Sequence, residues 1–131
     1  DIVRSVIKKL PRDSANGVSG WTFNLFRDII NRGINEDGDD GDELMDTLTI
    51  LVNQIVKFQL PIDCYYILNS ARQILIVKTD VKVRPISVGD VLFRFAAKCL
   101  IRTVQDNIEA KLAPIQLCCG TKGGTEIGAL L

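Results

Sequence analysis

Hydrophobic and polar positions along the chain change period several times, and each change marks an element. Residues 2–10 place Ile2, Val3, Val6, Ile7 and Leu10 at helical spacing, and Pro11 ends the pattern. Arg12 to Gly20 is turn-rich, with Asn16-Gly17 a strong turn pair. From Trp21, apolar residues recur every fourth position at Leu25 and Ile29, with Phe26 and Ile30 beside them. This predicts an amphipathic helix with Trp21 as a core anchor rather than a stacking platform, closed near Gly33. A further helix is predicted from Glu43 or Leu44 to Gln59, burying Leu44, Leu48, Leu51, Val52, Ile55 and Val56 and closed by Leu60-Pro61. Ile62 to Ser70 reads as a short helix, although Tyr65-Tyr66-Ile67 also fits a strand.

The period then shortens. Ile74 to Val77 is a continuous apolar run, Lys78, Thr79 and Asp80 form a polar break, and alternation resumes through Val81, Lys82, Val83 and Arg84. Two β-rich runs around a polar turn predict a hairpin. Pro85 ends its second strand or confines it to an edge. Alternation would put Lys82 and Arg84 on one face and Val81 and Val83 on the other, with the valines packed on the core. Ser87 is the expected cap of a helix that starts near Val88, with Asp90 in its first turn, where negative charge is favoured. That helix buries Val91, Leu92, Phe95, Ala96, Cys99 and Leu100 and runs to about Val104. Gln105 to Leu112 reads as a second short helix, Pro114 to Gly124 as a loop, and Thr125 to Leu131 as the first turns of another helix. The fold class expected is α+β, mostly helical with one β-hairpin, in a single domain over residues 1–131. A start at Asp1 without Met is the pattern of a piece cut from a longer chain.

Composition changes the picture in one respect. Lys and Arg number 16 and so do Asp and Glu, giving a formal charge of zero, but the charges are segregated. Arg72 to Arg102 carries seven cations against Asp80 and Asp90 alone. Glu36 to Asp46 carries seven carboxylates and no cation. Local field governs attraction of a polyanion more than the sum does. Arg94, Lys98 and Arg102, spaced by four, line one exposed helix stripe.

The acidic stretch Asn35 to Asp42 reads as a solvated loop. It fails the calcium-loop pattern, because the twelfth position counted from Asp37 is Leu48. With no histidine, neither a His-based triad nor a His metal site can be assembled. Cys64, Cys99, Cys118 and Cys119 form no CxxC pair, and reduced thiols of an intracellular chain, nuclear or cytoplasmic, are expected. Cys119 to Gly124 (CGTKGG) lacks the order of a phosphate loop, since its lysine precedes the glycine pair. No apolar run is long enough for a transmembrane helix.

Four segments, in order and spacing, resemble the fingers region of reverse transcriptases of the non-LTR retrotransposon and group II intron type. They are LPRDSANGVSGW from Leu10, Leu60-Pro61 followed by ARQILIVK from Ala71, VRPISVGDVLFRFAAK from Val83, and QLCCGTKGGTEI from Gln116. The third is the most specific. Gln116-Leu117-Cys118 stands where the family has a Gln-Phe-Gly triplet, and the sequence contains no Tyr-x-Asp-Asp pair. The resemblance implies part of a right-hand polymerase fold, with the palm and its catalytic aspartates outside this sequence. The parent activity implied is RNA-directed DNA polymerisation with Mg2+, and this fragment alone is expected to be inactive, with no catalytic or metal-binding residue of its own. By the same resemblance, Lys78 and Arg84 would hold the incoming dNTP. Lys82, Arg94, Lys98 and Arg102 would contact the backbone of an RNA template or RNA–DNA duplex. The partners expected are therefore nucleic acid, nucleotide and the palm, with no membrane. The alternatives are a non-enzymatic RNA-binding or assembly module that kept the fingers fold, and a helical interaction domain unrelated to that family.

Overall fold

The computed structural model describes residues 2–35, 40–79 and 82–112. Five helices and one hairpin follow in the order α1 (Ile2–Lys8), α2 (Phe23–Asn35), α3 (Asp40–Val56), α4 (Ile62–Leu68), β1 (Ala71–Thr79), β2 (Lys82–Gly89) and α5 (Val91–Leu112). Among the described residues no helix is long and apolar enough to cross a membrane.

The core lies among the helices. Val3, Val6 and Ile7 of α1, with Leu10 behind them, meet Met45, Leu48, Val52 and Ile55 of α3 and Val91, Phe95, Ala96 and Cys99 of α5. In each helix the buried positions follow steps of three and four, the spacing that keeps one face turned to a neighbour. Phe26 and Phe95 join α2 to α5 edge to face, with ring centroids 5.0 Å apart and planes at 64°, a favoured aromatic geometry. Arg27 of α2 donates from Nη2 to the Leu10 carbonyl at 2.9 Å, capturing the chain just after α1. Tyr65 fixes α4, its hydroxyl lying 3.1 Å from the Gln54 carbonyl oxygen and 3.3 Å from that of Ile55 at the end of α3.

Several expectations change once packing is seen. Trp21 is 40% exposed, and Leu25 and Ile29 share its exposure, so the anchor of α2 is Phe23, which is 1% exposed. The reason is local. Thr22 caps the helix, its Oγ1 accepting from the Leu25 amide at 3.2 Å, and this leaves Trp21 outside the first turn. The core stripe becomes Phe23, Phe26 and Ile30, one position away from the spacing that looked strongest in sequence. Gly33 lies inside α2, which continues to Asn35. Asp40, Gly41 and Asp42 belong to α3, so the acidic stretch is partly helical; residues 36–39 lie outside the described residues. Residues 62–68 are helical rather than extended. Gln105 to Leu112 continues α5 without a break. Asp80, Val81 and everything from Ala113 on, including Cys118, Cys119 and the segment from Gln116, also lie outside the described residues.

The hairpin is antiparallel, with Ala71 opposite Gly89, Leu75 opposite Pro85, Ile76 opposite Arg84 and Val77 opposite Val83. Pairing runs unbroken through Pro85, which has no N–H. That is possible only if Leu75 and Pro85 form a non-hydrogen-bonded pair, with their polar backbone groups turned outward. Pro85 thus lies within an edge strand and does not end it. Helix α5 consequently starts later than Ser87 would have it. Asp90 is the cap: its Oδ1 accepts from the Leu92 amide at 3.1 Å.

Candidate nucleic-acid interface

The two strands pair with each other, whereas the helices pack among themselves, so the hairpin stands as an arm on the helical body. Leu75 is 68%, Val77 70% and Val83 51% exposed. The expectation that Val83 packs on the core is therefore overturned, and Val81 lies outside the described residues. The physical reason is that a single two-stranded sheet has no second layer unless a helix crosses it. Here α5 leaves the end of β2 and packs on α1 and α3 instead.

What holds the arm is its base, through the turn-rich loop after α1. Arg72 donates from Nη1 to Asn16 Oδ1 at 2.9 Å. Buried Asp90 receives the Ser19 amide on Oδ2 at 3.4 Å while capping α5 with its other oxygen. Gly17 is wedged between them, and a Cβ there would stand 2.7 Å from both Asp90 Cα and the Gly89 carbonyl oxygen. Glycine is the side chain this approach admits.

The basic residues sort into three environments. Lys78, Lys82 and Arg84 are exposed toward the outer end of the arm. Lys78 is the unpaired residue where the register shifts between Val77 and Thr79. Arg84 lies five residues before Gly89, roughly 17 Å from the base at strand rise. The described residues of the arm hold no carboxylate. Arg94 instead turns inward. Its Nη2 donates to the Ala15 carbonyl at 2.8 Å, and its guanidinium carbon sits 4.7 Å above the Phe23 ring. Lys98 and Arg102 are exposed one turn apart on α5, so the expected stripe is continued by these two while Arg94 binds its own chain. They share a groove of about 220 Å³ with Lys9, beyond the end of α1. Among the described residues the one ion pair is Arg4 with Asp42, at 2.8 Å, so none of the arm or groove cations is neutralised by a carboxylate of the described residues.

Sequence reasoning missed Lys9 and Arg72. Lys9 meets Lys98 only because α1 packs on α5, some ninety residues later, and no spacing rule reaches that far. The pairing of Arg72 with Asn16 is equally distant in sequence; its only signal is the Asn16-Gly17 turn pair, which marks a tight loop but not its partner.

Among the described residues no group of three or more His, Cys, Asp or Glu comes together to hold a metal ion. The Mg2+ implied by the resemblance thus has no ligand set among them. Cys64 and Cys99 are free thiols. Burial pushes the Cys99 thiol up to about 11. Compared with protein-family models, curated proteins and solved structures, the chain matches none.

Proposed function

We propose that the chain is a fingers module of a reverse transcriptase-like polymerase, an intracellular protein that binds nucleotide and nucleic acid. Lys78 and Arg84 take the triphosphate of an incoming dNTP, and Lys82, Lys98 and Arg102 meet the phosphate backbone of an RNA template or RNA–DNA duplex. Arg94 is placed with them by the resemblance, and its contact with Ala15 would have to open for it to reach a phosphate. The observation that supports this reading is the arm itself: three exposed cations, with no carboxylate contact among the described residues, on a hairpin joined at its base to the loop after α1. Fixed cations offset phosphate charge, and the planar fork of Arg84 can grip two phosphate oxygens at once. The metal-dependent step belongs to palm carboxylates, so the roles assigned to these residues are binding roles.

Titration of the chain with a dNTP, followed through the backbone amide resonances of β1 and β2, tests the nucleotide role. Arg84→Ala is expected to weaken binding by about tenfold or more, the scale of a charge-assisted hydrogen bond lost. Arg84→Lys should recover part of it, because lysine lacks the fork. Unchanged nucleotide binding in Arg84→Ala would remove the role. Loss of nucleotide binding together with a collapsed melting temperature would make Arg84 a structural residue. Salt-sensitive RNA binding without any dNTP binding would favour the RNA-binding or assembly module.

A further inference from the structure

The groove between α1 and α5 has a feature that the arm does not explain. Lys9, Lys98 and Arg102 converge in it from two elements distant in sequence, with Ser5 and Gln105 beside them and no carboxylate in the lining. Arg102 is braced along the wall: its Nη1 donates to Gln105 Oε1 at 3.2 Å, and Gln105 Nε2 donates in turn to Glu109 Oε1 at 2.6 Å. Glu109 therefore acts through Gln105 and does not neutralise the guanidinium directly. The buried contacts of Val3, Val6 and Ile7 with Phe95, Ala96 and Cys99 hold the two walls together, so the three cations are kept near one another despite their repulsion.

From this arrangement we infer that the groove is a seat for one phosphate group of a nucleic-acid backbone, and that Lys9 completes it. A concave site with three cations matches the charge-assisted donors a phosphodiester accepts. The Ser5 hydroxyl donates to the Ile2 carbonyl at 2.8 Å and Gln105 is held between Arg102 and Glu109, so the cations carry the site. Val6 and Ile101 form its apolar flank. The proposal deepens the polynucleotide reading above by adding a contact site on the helical body, away from the arm tip. Phosphate could reach it from a polynucleotide or free in solution, and the two sources separate experimentally.

The test uses the 131-residue chain and an oligouridylate in fluorescence anisotropy over a salt series. It compares native protein with Lys9→Gln, Lys98→Gln/Arg102→Gln and Lys78→Gln/Arg84→Gln. Each phosphate contact on single strands contributes about 0.7 to the slope of log affinity against log salt. Emptying a seat for one phosphate lowers that slope by at most about 0.7, so Lys9→Gln, which removes one of its three cations, should lower it by part of that and weaken binding several-fold, with an unchanged melting temperature. A Lys9→Gln slope equal to the native one overturns the proposal. Groove variants that lose slope while the arm variant does not would sink the arm reading and keep the groove. The opposite result sinks the groove and keeps the arm. A parallel titration with inorganic phosphate, read at the amides around Lys9 and Lys98, separates the sources. Shifts there with RNA binding that is unaffected by Lys9→Gln would identify a free-anion site and overturn the polynucleotide assignment.

Discussion

The helical body and the arm use the same residue types to opposite effect. Val91, Phe95, Ala96 and Cys99 of α5 are all 3% exposed or less, whereas Leu75 and Val77 of β1 are 68% and 70% exposed. Helix α5 finds α1 and α3 on its apolar side, and each buried side chain removes its area from water. The arm has backbone pairing but no opposing layer among the described residues, and two strands alone are marginal in water. Its order therefore depends on the base, where Arg72, Asp90 and Gly17 join it to the loop after α1. The buried core lies in the helical body, while the arm presents Lys78, Lys82 and Arg84 with little apolar burial beneath them. Such a division is expected where a binding element must present its backbone and side chains to a partner.

This contrast can be broken at graded points. Phe95→Ala removes a ring that is 1% exposed and packed on Phe26, and should cost about 3–5 kcal/mol in denaturant unfolding. A cost below that of a surface substitution would mean the helices are not the stable part. Gly17→Ala forces a Cβ against the backbone of Gly89 and Asp90 and should cost about 1–3 kcal/mol. Its signature is regional: amide exchange in β1 and β2 should accelerate more than in α1 or α3, and uniform acceleration would show that the loop does not govern the arm. Asp90→Ala removes the cap of α5 and the partner of the Ser19 amide, a loss of about 1 kcal/mol by thermal melting. Asp90→Asn keeps an oxygen for the cap and should recover most of it.

A smaller effect comes from pH. The Cys99 thiol is raised by burial from 9.0 to about 11, so the folded chain holds its proton more tightly than the unfolded chain does. The resulting stability is complete below pH 9 and is lost as pH rises from 9 to 11, so the denaturation midpoint should fall across that window. Cys99→Ser, although less stable throughout, should lose this component of the decline; an unchanged fall would assign it to other groups. At the small end, Leu75→Ala in the arm should change stability by less than about 0.5 kcal/mol. A loss approaching that of Phe95→Ala would show that the arm contributes to the core after all.

Much of the architecture was legible before any packing was seen. The helices, the hairpin between Leu68 and Val91, and most of the buried stripes of α1, α3 and α5 follow from local period, because backbone hydrogen bonding limits the chain to a few repeats. The exceptions are Leu100 and Ile2, which are 44% and 40% exposed, and Met45, which is buried in α3 although the expected stripe passed it by. Cys99 was correctly placed in the core on the same ground. Local period failed for α2, where Trp21, Leu25 and Ile29 make an apolar row as regular as the one that is buried. Periodicity reports that a helix has an apolar side; which side faces inward depends on the entry of the chain, here fixed by Thr22 and by Phe26 against Phe95. The cap of α5 failed similarly, since Ser87 and Asp90 both suit a cap and only the continuation of strand pairing to Gly89 chooses between them.

Of the candidate site, sequence alone determined which residues carry charge and that Lys78, Lys82 and Arg84 belong to a hairpin, because these properties reside in the side chain and its near neighbours. Tertiary structure decided what each charge meets. It turned Arg94 onto Phe23 and Ala15, left the arm cations without a carboxylate contact among the described residues, and brought Lys9 to Lys98 and Arg102. Those outcomes depend on how elements far apart in the chain dock, and docking is set by the summed burial of the core, to which no single short segment holds the answer.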